Sequence, residues 1–242
     1  EFAQKAADAL GELLALVEAG ETQYALAEFN YTDIYNHQKS PEATTSYSDN
    51  FYTRKQNWKQ PGTVEAIFRG PSHDFNGSHW NTTKVFGPKV DGVVEHDNVI
   101  HQPTANAVEM YGMANGLPLD HPKSGYDPRF PFKDRDPRFY HDIVFDGFKY
   151  INGDPATWAH LQYCQLYTGG NMRDVANASR TGYFIQKLVP HTANSADREY
   201  DWGSALHTYL PYMRLADVYL MYAEATAVLG GRDGKSNKCS LT

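Results

Sequence analysis

Two cysteines in 242 residues, Cys164 and Cys239, exclude a disulfide framework, and neither sits at a spacing that binds metal. Two thiols leave the redox compartment open. Long hydrophobic runs are missing too: the longest is Val218 to Ala223, far short of the ~20 residues a membrane-spanning helix needs. No hydrophobic signal segment opens the chain, and Glu1-Phe2-Ala3-Gln4 reads as the inside of a helix. The chain is therefore expected to be a cleaved or excised piece of something longer. Basic charge is in deficit, with 22 Lys and Arg against 29 Asp and Glu, a net charge of −7 and no clustered basic stripe. That removes the electrostatic footprint of a nucleic-acid binder. Aliphatic residues are few: Leu (16), Ile (6), Val (13) and Phe (12) together make under a fifth of the chain. A high net charge beside that shortage would signal disorder, but −7 is low for this length.

Aromatic side chains replace the aliphatic ones, with 17 Tyr, 12 Phe and 4 Trp. Tyr and Trp pack on one side and hydrogen-bond on the other, which suits a loop-rich globular protein with amphipathic surface. Phe2, Ala6, Leu10, Leu13 and Val17 step at helical spacing, and Gly20 ends that helix. A second helix is expected over 22–37, packed antiparallel on the first, with Tyr24, Phe29 and Ile34 on its buried side. A third is expected from about Leu210 to Leu229, with Pro211 in its first turn. Its Ala216, Ala223, Ala225 and Ala227 favour close helix packing. Between the helical ends the chain is rich in Ser, Thr, Asn, Gly, Pro and His. Pro137 is expected to launch a strand through His141–Phe145, which Asp146-Gly147 turns into a hairpin with Phe148–Ile151. Tyr183–Val189 reads as a further strand.

Catalytic and cofactor motifs are missing. The chain has no G-x-x-x-x-G-K-[ST], no G-x-G-x-x-G, no H-E-x-x-H and no G-x-S-x-G. His73, His79, His96 and His101 match no compact zinc spacing, and Asp91, Glu95 and Asp97 read as an exposed acidic turn rather than a calcium loop. With 29 acids, a carboxylate pair for glycoside hydrolysis can be chosen at will and carries no information. No cofactor and no metal site is expected. In Asp134-Arg135-Asp136-Pro137-Arg138 the alternating charges suit bidentate Arg–carboxylate pairs that clamp a loop. Arg214 and Glu224 read as inter-helix pairs, and Tyr212, Tyr219 and Tyr222 as core.

Three stretches are specific. Pro103-Thr104 through Glu109-Met110-Tyr111, followed by Asn115-Gly116, resembles a "PT…ELVD.YE…DG" segment. Tyr126-Asp127-Pro128 and Asp134-Arg135-Asp136-Pro137-Arg138-Phe139 resemble "Y(D/N)P…NRDPRF". Pro211-Tyr212-Met213-Arg214-Leu215-Ala216-Asp217-Val218-Tyr219-Leu220-Met221-Tyr222-Ala223-Glu224-Ala225 resembles "PYIRLAEVYLNYAEA". In this order and separation they are similar to the SusD/RagB family of surface glycan-binding lipoproteins.

The resemblance implies a mainly α fold of tetratricopeptide-like helical hairpins with long irregular loops and a few short strands. It divides 1–242 into tetratricopeptide-like helices (1–37), a loop-rich ligand-binding part (38–205) and a C-terminal helix and tail (206–242). It implies a non-enzymatic Bacteroidetes-type protein, lipid-anchored on the outer face of the outer membrane. There it would capture a glycan or oligosaccharide and deliver it to a TonB-dependent, SusC-like transporter. The alternatives are a secreted helical glycoside hydrolase or esterase, and a family member that binds peptide or glycoprotein nutrients. A sugar ring needs an aromatic face and polar groups around its rim. Trp80, between His79 and Asn81 and near Asp74, supplies both, and Tyr52, Trp58 and Trp158 lie in other polar loops. These six, Trp80, Asn81, Asp74, Tyr52, Trp58 and Trp158, are the candidate ligand contacts.

Overall fold

The computed structural model describes residues 1–28, 47, 50–53, 64–69, 73–74, 86–88, 101–151, 157, 162–170, 172–173, 178–189, 207–208 and 211–230. Among them are four helices and seven short strands. Helix α1 is Phe2–Glu18, α2 Ala105–Glu109, α3 Pro137–Asp142 and α4 Leu215–Gly230. The strands are β1 Tyr52–Thr53, β2 Ala66–Arg69, β3 His73–Asp74, β4 Ile143–Val144, β5 Phe184–Ile185, β6 His207–Thr208 and β7 Pro211–Arg214.

Helix α1 forms where its periodicity places it and stops at a Schellman motif. Gly20 takes φ +72°. Its N–H reaches Val17 O (3.0 Å), and that of Glu21 reaches Leu16 O (2.9 Å). Its apolar stripe does not meet a following helix. Residues 22–28 are not helical, and Ala25 N instead donates to Val64 O at 2.9 Å. The expected 22–37 helix is corrected there; 29–37 lie outside the described residues. The partner of α1 is α4: Leu14, Leu215 and Val218 form a buried cluster, with Leu10, Leu13, Val17, Tyr219 and Tyr222 packed around it. The helices run close, since a Cβ on Gly11 would lie 3.1 Å from the Tyr222 ring.

Helix α4 begins later than its pattern suggests. Pro211–Arg214 is extended and pairs antiparallel with Ala66–Arg69, with register shifts on both sides of Phe68. Pro211 thus opens a strand rather than a helix, a position where its missing N–H costs little. Arg214 N donates to Asp217 Oδ2 at 2.8 Å, so an acidic side chain in the first turn reaches back over the helix start, one half of a capping box. Tyr212 is 62% exposed and stacks obliquely on the exposed Phe68, with centroids 5.6 Å apart, which corrects its assignment to the core.

The larger core is aromatic. Phe139, Phe145, Phe148, Ile143, Val144, Ile151, Met172 and Phe184 are buried together. Pro137 launches a helix, not a strand: Asp136 is its N-cap, accepting from Arg138 N at 2.9 Å, and proline fits the first helical position. Only Ile143–Val144 is strand, paired with Phe184–Ile185. The turn at Asp146-Gly147 exists, with Gly147 at φ +82°. It returns the chain to 162–164 rather than to β4, through Cys164 N to Phe148 O (2.9 Å) and Tyr150 N to Gln162 O (2.9 Å).

Arg135 is almost fully buried, and its guanidinium binds backbone carbonyls rather than a carboxylate. Its Nη2 reaches Val108 O (3.0 Å) and Tyr111 O (2.7 Å), Nη1 reaches Pro131 O (2.9 Å) and Nε reaches Gly112 O (3.3 Å). The guanidinium lies 4.6 Å above the Phe139 ring. The bidentate Arg–carboxylate pairs of this region are Arg138 with Asp136 and Arg129 with Asp127.

Gly112 is packed into the same junction. A Cβ there would lie 2.6 Å from Leu117 O, a backbone atom that cannot swing aside. Gly112→Ala should therefore lower stability by about 1–3 kcal/mol in chemical unfolding, the usual cost of overpacking. A melt unchanged from the parent would mean that the 112–117 turn is free to shift.

Candidate functional site

Strand β6 is the centre of a three-stranded antiparallel sheet, in the order β1-β6-β3. Tyr52 pairs with Thr208 and Asp74 with His207, so two of the six ligand candidates flank one strand, one register step apart. Strand β3 leads directly into the segment that carries Trp80 and Asn81. Trp58, Trp80, Asn81 and Trp158 themselves lie outside the described residues.

The chain entering β1 is anchored by two buried carboxylates. Asp142, at the end of α3 and only 2% exposed, accepts from Tyr47 Oη at 3.2 Å and from Tyr111 Oη at 2.9 Å, both on Oδ2. Lys187 Nζ lies 3.3 Å from the same oxygen, and His141 Nδ1 is 3.3 Å from Oδ1. Lys187 also sits 4.6 Å over the Phe51 ring, and Tyr47 meets Phe51 and His141 edge-on at 5.1 and 4.8 Å. Glu65, just before β2, accepts from Asn50 Nδ2 at 3.0 Å and from Arg214 Nη1 at 3.3 Å. Arg214 thus pairs across two strands, not between two helices.

The electrostatics follow from this geometry. Burial works against a charged Asp142, yet the His141 contact, the Lys187 charge and the Tyr111 hydroxyl together hold its carboxyl below the usual range. Burial, and next the charge on Asp142, push the Tyr47 and Tyr111 phenols far up, so both stay hydrogen-bond donors at every ordinary pH. Burial likewise raises the Cys164 thiol, which favours its protonated form.

Sequence reading did not single out Asp142, Glu65, Tyr47 or Lys187. One signal was present: Asp142 is the only carboxylate in the run Phe139-Tyr140-His141-Asp142-Ile143-Val144-Phe145, and a lone acid in an aromatic run must be buried with partners.

Among the described residues no group of three His, Cys, Asp or Glu is placed to hold a metal ion, and no helix is long and apolar enough to cross a membrane. A cleft of about 350 Å³ opens at the outer end of the α1–α4 pair, lined by Gln4, Asp8, Tyr222, Thr226 and Leu229.

No curated protein matches the chain. A SusD-like protein from Bacteroides fragilis (BF3747) superposes with a TM-score of 0.57 at 20% identity, over 95% of this chain and 41% of its own. A second solved structure, BT4246, gives a TM-score of 0.51 at 19% identity, over 94% of this chain and 42% of that one. A third, described as a SusD-like carbohydrate binding protein (BF0978) from Bacteroides fragilis, gives only 0.40 at 24% identity, over 74% of this chain and 33% of its own. The chain spans about two fifths of the length of the first of these structures. The family model described as the SusD family matches residues 64–239, which include both the "DPRF" and the "PY.RLA" stretches, and the chain belongs to that family.

Proposed function

We propose that this protein is a non-enzymatic cell-surface binder of glycans or oligosaccharides that hands its ligand to a TonB-dependent, SusC-like transporter. The observation that carries the reading is the family match over 64–239, which spans the polar, aromatic segment around Trp80. Chemistry supports it: a rigid ring covers the apolar face of a pyranose, while Asn81 and Asp74 supply paired hydrogen bonds to its hydroxyls. Trp80, Asn81, Asp74, Tyr52, Trp58 and Trp158 are the proposed contacts. Binding of this kind needs no cofactor and no metal. The reading places the protein on the extracellular face of the outer membrane, held by a lipid anchor, with tetratricopeptide-like hairpins as the supporting body. Two acyl chains suffice to hold such a body at a membrane.

A glycan array with hydrolysis assayed in parallel tests it. Binding without turnover is expected. Turnover of a bound glycan would overturn the non-enzymatic claim, and binding to peptides alone would overturn the ligand class. Trp80→Ala should weaken glycan binding by roughly tenfold or more while the melting temperature stays near the parent value. A drop of several kcal/mol in stability would assign Trp80 to a core instead. Purification from outer membranes in mild detergent should bring down a large β-barrel protein; recovery of this protein alone would count against the transporter.

A further inference from the structure

We propose that Asp142 is a positioning residue for the β1-β6-β3 sheet, which carries the ligand candidates Tyr52 and Asp74: through the Tyr47 hydroxyl it fixes the segment that enters β1, and β1 in turn holds β6 and β3. This rests on the glycan-binding reading above and adds a residue that touches no ligand.

The argument is one of connectivity. The described parts of β1, β3 and β6 are two residues each, and a sheet of strands so short gains little hold from its own ladders. The chain immediately before β1 adds an anchor, because Tyr47 and Phe51 are buried as a cluster and Asn50 is fully buried. Each of these side chains docks on a charged group of another element. Tyr47 bonds to Asp142 of α3, Phe51 lies under Lys187 beyond β5, and Asn50 bonds to Glu65 ahead of β2. Lys187 N and Gln186 N both donate to the Asp142 backbone oxygen, at 3.2 and 2.8 Å. Asp142 thus holds its own cation in place by main chain as well as side chain. The carboxylate sits in the aromatic core, on an element the core over-determines, and so it is a rigid reference. Tyr111, bonded to the same oxygen, belongs to the α2 end and not to the sheet.

That difference makes the test. Tyr47→Phe and Tyr111→Phe each delete one hydroxyl from the same carboxylate and keep the ring. In the 242-residue protein, glycan affinity and backbone hydrogen exchange are measured for both variants and the parent. Tyr47→Phe should lower affinity roughly two- to tenfold, the span of one net hydrogen bond. It should also speed exchange in β1 and β6 but not in β4 and β5. Tyr111→Phe should leave affinity and sheet exchange unchanged. Equal effects of the two variants would make Asp142 a general stabiliser and overturn the proposal. Unchanged affinity in Tyr47→Phe, with or without faster exchange, would overturn it as well. If the parent binds no glycan, the functional reading falls on its own. The exchange comparison then decides alone whether Asp142 positions the sheet: selective loosening upholds it and no loosening rejects it.

Discussion

Asp142→Ala is expected to cost about 3–5 kcal/mol of folding stability, the loss typical of removing one partner from a buried charged network. The alanine would leave the Tyr47 and Tyr111 hydroxyls and the Lys187 ammonium without the oxygen that all three approach. Asp142→Asn should cost less, because an amide oxygen still accepts from the phenols. The charge also sets an acid signature. The folded carboxyl titrates below an unfolded aspartate, whose pKa is about 3.9. Its contribution is therefore complete above that value and is lost as the pH falls below it toward the folded pKa. Melting temperatures across that acid window should fall more steeply for the parent than for Asp142→Asn. A loss under about 1 kcal/mol in Asp142→Ala would mean that the surrounding aromatic packing, not the carboxylate, joins these segments.

Arg135→Leu is the second large effect. The guanidinium serves four carbonyls from 108 to 131, at the joint between α2, the loop and α3. A leucine fills part of the volume and donates nothing, and each buried oxygen stranded without a partner costs about 1–3 kcal/mol. A total loss of about 3 kcal/mol or more is expected in urea unfolding. Arg135→Lys should recover little of it, because a single ammonium cannot reproduce the planar fork that spans Nε, Nη1 and Nη2. Full rescue by lysine would show that charge alone, rather than the fork, is required.

Much of this was legible in the sequence, and the misses share a cause. Helix α1 and its stop at Gly20 follow from local spacing, as does the helical core of α4. The stretches that carry the family resemblance are junctions: Asp136-Pro137-Arg138 caps α3, and Pro211–Arg214 pairs with β2 before α4 begins. Their conformations depend on residues far away in the chain, and local rules read them wrongly. Pro137 suits a strand start and a first helical turn equally, and the buried contacts of Phe139 to Asp142 select the helix. The apolar stripe of α1 announces a partner without saying which, so proximity favoured 22–37 where packing chose α4. For the proposed contacts, residue chemistry points to Trp80 and its neighbours, which lie outside the described residues, while the supports of the chain entering β1 come from 65, 142 and 187 and leave no local pattern.

The pairing of α1 with α4 also dictates an order of events at the ribosome. Leu14 is made some 200 residues before its packing partners Leu215 and Val218. At about 5–20 residues per second, the nascent α1 waits roughly ten to forty seconds for the part of its apolar stripe that α4 covers to be buried. The aromatic core between Val108 and Phe184 has all its members synthesised before α4 exists. The aromatic core can therefore close before the α1–α4 pair does, and α1 must be shielded until α4 emerges.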